Sequence, residues 1–327
     1  MEKAIALFAE LGRRLGTFGR DKTSRRIIRR AEQENGWFTE PEIRRAVEAL
    51  RSEMLDQVRL RAWLAPYRVP VAVPRDVLVI MAGNLPLVGF FDLLCVVASG
   101  HRCLVKPSSK DRVLIGYAID ELKRIDPATR VGYYDDALTP DAVIATGGDN
   151  ANRYFRARFP GIPALLRGSR QSVAVLSGHE TPEQLAGLSD DVFAYSGLGC
   201  RNVSLLFLPG GCEPMLAPPP MSPKYHNNYM QQRALLTLQG RSFRDCGGAL
   251  LLPMRDFPPA LSCIAYSHYE RADEVSAWLE EHDSEVQCVV SDCLQHSRQV
   301  PFGRAQSPAL TDYPDDRDVM AFLAGLA

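Results

Sequence analysis

The sequence predicts an α/β protein built on parallel sheets, with a helical N-terminus. Three observations predict it. From residue 77 onward, short apolar runs alternate with helix-length segments, as in right-handed βαβ units. Residues 1 to 65 read as helical and Arg-rich. Hydrophobic residues make up 46% of the 327 and charged residues 24%, an ordinary globular composition with ample material for a core. Lys and Arg (38) balance Asp and Glu (39). A net charge of -1 disfavours a protein that works by neutralising phosphate backbones, so no nucleic-acid partner is expected.

In chain order, the cluster Arg25, Arg26, Arg29 and Arg30 reads as the solvated face of a helix, because Glu32, Glu34, Glu40 and Glu42 follow closely. Thr39-Glu40-Pro41-Glu42 marks a helix start. Behind it Ile43, Val47, Leu50, Met54 and Val58 recur at helical spacing, predicting an amphipathic helix with a buried stripe. The character changes at Pro70. Val77-Leu78-Val79-Ile80 predicts a buried strand, ended by the turn Ala82-Gly83-Asn84-Leu85-Pro86. Leu87 to Ser99 predicts an apolar helix closed by Gly100. Cys103-Leu104-Val105-Lys106 is a second strand and Asp111 to Ile125 a helix. Ala142-Val143-Ile144-Ala145 is a third strand, and Thr146-Gly147-Gly148-Asp149-Asn150 leads into a helix. Val173-Ala174-Val175-Leu176 is a further strand.

A second region starts near 179. Glu183 to Tyr195 predicts a helix, Ser196-Gly197-Leu198-Gly199-Cys200 a small-residue loop and Val203 to Leu208 a buried strand. Residues 209 to 223 are rich in proline and form a loop. Lys224 to Leu238 predicts a helix. Ser262 to Ser267 and Val286 to Val290 are strands around a helix from Ala272 to Glu281.

The start Met1-Glu2-Lys3 lacks a secretory pattern, and Asn84, Pro86 and Asp92 interrupt the most apolar stretch, so no membrane span is expected. The eight cysteines show no C-x-x-C spacing. Free thiols in a reducing cytoplasm are the simplest reading.

Four positions are candidates for chemistry. Cys200 follows Gly197 and Gly199, which leave its loop without side chains so that a substrate can approach, with Arg201 adjacent to favour the thiolate. The alternative is a small buried thiol. Asn84 follows a parallel strand, where its amide can donate to a developing oxyanion; it can equally be a turn Asn. Lys106, at the next strand end, suits nucleotide hydroxyls or phosphate, or is an ordinary exposed lysine. His226 is a candidate acid or base, or a helix-start histidine. Gly147-Gly148 is a weak nucleotide signal. No histidine and carboxylate cluster has metal-ligand spacing, so no metal is expected.

The order of these features resembles the aldehyde dehydrogenase superfamily, and within it the fatty acyl-CoA reductases of bacterial luminescence. The segment from Val77 to Leu87 is similar to the family's strand and Asn-x-Pro turn. Gly100 to Ser108 is similar to its Gly-x-x-x-x-x-Lys-Pro-Ser segment, and Ala145-Thr146-Gly147-Gly148 to its Thr-Gly-Ser turn at the nicotinamide side. Gly168-Ser169-Arg170 falls where the superfamily has Gly-Gly-Lys. Ser196 to Asn202 falls at the catalytic cysteine loop, and Pro301-Phe302-Gly303-Arg304 at the Pro-Phe-Gly-Gly segment. Gly36-Trp37-Phe38-Thr39, Leu310 to Tyr313 and Met320 to Leu323 look particular to the reductase branch. The resemblance covers roughly residues 30 to 327.

The resemblance implies an aldehyde-dehydrogenase-like fold. A helical segment over 1–65 packs on an NAD(P)-binding Rossmann-like domain over 66–178. A catalytic domain over 179–300 and a return segment over 301–327 follow, with the active site between the two domains. It implies Cys200 as nucleophile, Asn84 with the Cys200 backbone N–H as oxyanion hole, and Lys106, Ser108, Ser109, Thr146, Gly147 and Gly148 around the cofactor.

The departures are informative. Leu166 stands where hydrolytic members carry the Glu that activates water, which suits an acyl-enzyme attacked by hydride or by a thiol. The Glu-x-Phe-Gly-Pro motif has no clear counterpart. Ser109 replaces the Glu of many NAD-specific members and so points to NADPH, with NADH as the alternative. The expected activity is NAD(P)H-dependent reduction of an acyl thioester to an aldehyde, of the long-chain type, on acyl-CoA or acyl-carrier protein. Apolar residues around 209–223 are candidates to accept the chain. An acyl-transferring partner protein and a homo-oligomer fit the same reading. The alternatives are a cysteine acyltransferase or thioesterase without hydride transfer, and a non-catalytic subunit of a biosynthetic complex.

Overall fold

Four helices open the computed structural model, which describes residues 1–326, with the backbone alone at residue 149. They are α1 (Glu2–Leu15), α2 (Lys22–Glu34), α3 (Glu40–Ala49) and α4 (Gln57–Leu64). The Asp21 side chain accepts from the Thr23 and Ser24 backbone N–H groups, and Thr39 from that of Glu42. The buried stripe expected through Val58 is corrected. A π-helical turn over Leu50–Met54 follows α3, and Asp56 then caps a new helix through the Val58 and Arg59 N–H groups. The restart breaks the phase. Ile43, Val47, Leu50 and Met54 are buried, whereas Val58 is 73% exposed.

The chain forms two units, residues 1–169 with 309–327, and residues 170–308. In the first unit come β1 (Asp76–Ile80), α5 (Phe90–Ser99), β2 (Arg102–Lys106), α6 (Arg112–Ile125), β3 (Val131–Tyr133), β4 (Ala142–Thr146), α7 (Asp149–Arg158) and β5 (Ala164–Arg167). The sheet is all parallel, in the order β3-β2-β1-β4-β5. Strand alternation fills both faces. Val77, Val79, Cys103, Val105 and Ile144 join the core of the N-terminal helices, α5 and α6. Leu78, Leu104, Val143 and Ala145 face a second cluster with Phe159. The helix expected from Leu87 starts at Phe90, because Leu87 itself is left-handed at φ 59°. Gly100 closes it at φ 93°, as expected.

The second unit contains β6 (Gln171–Val175), α8 (Pro182–Phe193), β7 (Val203–Pro209), α9 (Pro223–Leu238), β8 (Arg244–Asp245), β9 (Leu250–Pro253), β10 (Cys263–Tyr269), α10 (Ala272–Glu281), β11 (Val286–Val290) and β12 (Gln299–Val300). Its sheet runs β12-β11-β6-β7-β10-β9-β8, parallel except for the β8-β9 pair. Val173, Leu205, Phe207 and Ala265 pack with Val275 and Trp278 in its core.

The chain then returns to the first unit through α11 (Val319–Ala324), whose Val319, Met320 and Leu323 are fully buried in that unit's core. The His101 Nε2 lies 3.0 Å from the Leu323 carbonyl oxygen. Among the described residues, no helix is long and apolar enough to cross a membrane.

Candidate active site

In the first unit, three parallel strands end side by side. Ile80 of β1 lies opposite Lys106 of β2 on one side and Ala145 of β4 on the other. Strand order reverses at β1, the switch point where open α/β sheets bind ligands. Asn84, Lys106, Ser108, Ser109, Thr146, Gly147 and Gly148 all lie in the segments leaving these ends.

Asn84 is exposed in the turn after β1. That turn is clamped to the loop after β2. The Asp111 carboxylate, 2% exposed, accepts from the Leu87 N–H at 2.8 Å. Asn35 Nδ2 donates to the carbonyls of Gly83 at 3.5 Å and Lys110 at 3.3 Å. A Cβ on Gly83 would fall 2.4 Å from Ser108 Oγ, so this approach requires glycine. Burial pushes the Asp111 carboxyl up to about 8, and the Leu87 N–H opposes the shift only in part.

Lys106 is exposed. Its Nζ pairs with Asp136 at 3.0 Å and lies 5.5 Å from the Tyr134 ring centre. Thr146 Oγ1 accepts from the Arg167 guanidinium at 3.3 Å. Arg167 in turn grips Asp92 through two bonds of 2.7 and 2.8 Å, both residues being buried. The Arg167 carbonyl accepts from the Gly147 N–H at 3.2 Å and from Asn152 Nδ2 at 2.9 Å. A Cβ on Gly147 would fall 2.8 Å from that of Ala151, and Gly148 is the N-cap residue of α7. Bare glycine backbone beside a helix start is a surface that suits phosphate oxygens.

Cys200 belongs to the second unit, before β7. The helix expected to reach Tyr195 stops at Phe193. Tyr195, Ser196 and Gly197 are successively left-handed, at φ 53°, 58° and 68°. For the two residues that are not glycine this costs about 1–3 kcal/mol each. Asn202 holds the loop against that cost. Its Nδ2 donates to the carbonyls of Asp191, Val192 and Ala194 at 3.1, 3.2 and 2.9 Å, and its Oδ1 accepts from the Gly199 N–H at 2.8 Å. Ser172 Oγ donates to the Cys200 carbonyl at 2.9 Å. The Cys200 side chain is exposed. By contrast Cys95 and Cys103 are buried, and desolvation pushes their thiols up, away from reactivity.

Arg201 Nε donates to the Ala305 carbonyl at 2.6 Å. Asp191 accepts from the Gly303 and Ala305 N–H groups at 2.7 and 2.9 Å, and burial pushes its carboxyl up to about 7. The 301–305 segment is thereby fastened behind the Cys200 loop. His226 is exposed in the first turn of α9, its ring centre 6.1 Å from that of Tyr229. Leu166 lies in β5, packed on the cluster around Phe159. Among the described residues, no group of His, Cys, Asp or Glu is arranged to hold a metal.

Sequence reasoning missed the supporting residues Asn35, Asp92, Asp111, Arg167, Asp191 and Asn202. Asn202 had a local signal, an amide two residues beyond a glycine loop. Asp111 read only as a helix start.

Comparison with known proteins adds three findings. The family model described as "Acyl-CoA reductase (LuxC)" matches residues 37–214. The long-chain acyl-protein thioester reductase 2 of Photobacterium leiognathi is 26% identical over 149 residues, 40% of this chain and 31% of that protein. The long-chain acyl-protein thioester reductase of Aliivibrio fischeri is 27% identical over 164 residues, 44% of this chain and 34% of that protein. The matched stretch thus spans about a third of each curated relative. Among solved structures, aldehyde dehydrogenase 21 of Physcomitrella patens, in complex with succinate, matches with a TM-score of 0.67 at 11% identity over 99% of this chain and 83% of that one. The NAD+ complex of an aldehyde dehydrogenase from Bacillus cereus matches with a TM-score of 0.60 at 13% identity over 88% and 71%. The fold is that of the aldehyde dehydrogenases.

Proposed function

Because the chain belongs to the LuxC acyl-CoA reductase family, we propose that it reduces an acyl thioester to an aldehyde with a nicotinamide cofactor. The observation that carries this reading is the exposed Cys200 on a strained loop that Asn202 holds rigid. The names of the curated relatives support a long acyl chain delivered as a protein-bound thioester, and the description of the family supports an acyl-CoA.

In this reading the Cys200 thiolate bonds to the thioester carbonyl carbon. The tetrahedral oxyanion is met by the Asn84 amide and the Cys200 backbone N–H. The bond to the departing sulfur breaks, and that thiolate takes a proton from solvent. Lys106, Ser108, Ser109, Thr146, Gly147 and Gly148 would hold the cofactor, which would supply hydride. As the aldehyde carbonyl forms, the carbon–sulfur bond to Cys200 breaks and its thiolate is restored. Leu166 offers no base for water, which favours this route over hydrolysis. Ser109 supports NADPH. The Asp136 carboxylate on Lys106 is a feature that favours NADH, since it repels a 2′-phosphate.

The test follows NADPH and NADH oxidation against a panel of acyl-CoAs, for the wild type and Cys200→Ala. The expected result is thioester-dependent oxidation with aldehyde as product, lowered more than about 10³-fold in the variant. CoA release by the wild type without oxidation would replace the reading with a cysteine acyltransferase or thioesterase. Absence of an acyl label on Cys200 would leave a non-catalytic subunit.

A further inference from the structure

We propose that a pocket beside the Cys200 loop receives the acyl chain, a proposal that rests on Cys200 as the acylated residue. The pocket measures about 270 Å³ and lies wholly within the second unit. Gly197 and Leu198, just before Cys200, line it, as do Asn202 and Val203, just after it. The remaining wall comes from the end of α8, from Tyr225 and from the 258–264 segment. The two loops lie close, since Leu261 Cδ1 is 3.4 Å from where a Cβ on Gly197 would sit.

The wall suits hydrocarbon. It contains no charged side chain. Three of its polar side chains, Ser204, Ser262 and Asn202, are engaged with protein. Ser204 Oγ donates to Gln171 Oε1 at 2.8 Å, Ser262 Oγ to Asn228 Oδ1 at 3.0 Å, and Asn202 is committed to the loop carbonyls. A charged ligand finds no countercharge there, whereas each methylene removed from water contributes about 0.8 kcal/mol. The volume falls just below the ~300–1,000 Å³ typical of ligand sites. That admits a chain and leaves the bulky nucleotide of CoA outside. The segment across the pocket is itself strained, with Ser262 left-handed at φ 64° and 3% exposed, as expected where a wall is shaped for a ligand.

The proline-rich segment offers a rival. A larger cavity, about 560 Å³, is lined by Pro214, Met215 and Leu216. Arg244 and Asp245 also line it, and no residue of 194–203 does. A chain tethered to Cys200 is better served by the pocket whose wall the Cys200 loop builds.

The experiment compares the wild type, Ala260→Trp, which fills the proposed pocket, and Leu216→Trp, which fills the rival cavity. Two quantities are read. One is the ratio of kcat/KM for tetradecanoyl-CoA to that for butanoyl-CoA. The other is the affinity for cis-parinaric acid, a fluorescent fatty acid, measured without cofactor or thioester. Ala260→Trp is expected to lower both by about tenfold or more, with Leu216→Trp near the wild type. Ala260→Leu should give a smaller shift in the same direction and serves if the Trp variant does not fold. Equal loss for both substrates, or a shift confined to Leu216→Trp, would overturn the proposal. Fatty-acid binding lost in Ala260→Trp, in a protein that oxidises no cofactor, would keep the pocket and defeat the reductase reading. Reduction with an unchanged ratio and unchanged probe affinity would do the reverse.

Discussion

Asp111 is buried where its charge is disfavoured, and a carboxyl oxygen of its side chain is what holds the Leu87 N–H and so the turn bearing Asn84. Its folded-state pKa is raised from the ordinary 3.8 to about 8. The folded protein therefore keeps a proton that the unfolded chain releases between those values. The resulting stability is fully present below the lower value and is lost as pH rises through the upper one. At about 1.4 kcal/mol per unit, the effect is on the order of a few kcal/mol. Asp111→Asn should flatten the fall of Tm across this range, as thermal unfolding at a series of pH values will show; parallel curves for the two proteins would reject the assignment. Asp111→Ala instead leaves the Leu87 N–H without its acceptor and loosens the turn. It should lower kcat with little change in KM, in the direction of Asn84→Ala, for which a loss of about 10²–10³ is expected. The two losses should not add in the double variant, because both act on one turn.

At the scale of elements, the Asp92 and Arg167 pair ties α5 to β5, and the Arg167 backbone supports the turn at Gly147. Arg167→Met leaves a buried carboxylate alone and should cost about 3–5 kcal/mol, read as a lower denaturant midpoint. Pairing it with Asp92→Leu should restore most of that loss. A double variant as unstable as the single one would show that the pair itself carries the stability. Elements of this kind also mark where the sequence was legible. β1 and β4 carry apolar runs of four and β2 one of three, and all were read directly, as were the caps at Thr39 and Gly100. β3 and β5 escaped, because three or four residues with a partly exposed face carry too little pattern. Val58 was misplaced because its spacing continues a helix that Asp56 in fact restarts. At the site, Cys200 stood out by its glycines. Asn35, Asp111 and Asn202 did not, because each acts on backbone groups that only the folded chain brings to it.

For the whole molecule, the notable feature is that the first unit is completed by the last residues of the sequence. Residues 309–327 rejoin it after the second unit has been built. Val319, Met320 and Leu323 are fully buried there, and burying each contributes about 1.5–3 kcal/mol. Trp63 Nε1 donates to the Tyr313 hydroxyl at 2.8 Å, and the Tyr67 hydroxyl donates to Asp318 at 2.7 Å. Together these contributions rival the roughly 5–15 kcal/mol that stabilises a domain. A chain ending at Pro308 should therefore lose the first unit, while the second retains a sheet and core made of its own residues. Tryptophan fluorescence can separate the two, because Trp37 and Trp63 belong to the first unit and Trp278 to the second. In the truncated chain, the transition reported by Trp37 and Trp63 should vanish or fall well below that of the full chain. The Trp278 transition should persist, and a parallel series carrying Trp278→Phe assigns each signal. Unchanged unfolding of Trp37 and Trp63 after truncation would mean that the first unit closes its core without the returning segment. α11 would then be an accessory to the fold instead of its last structural part.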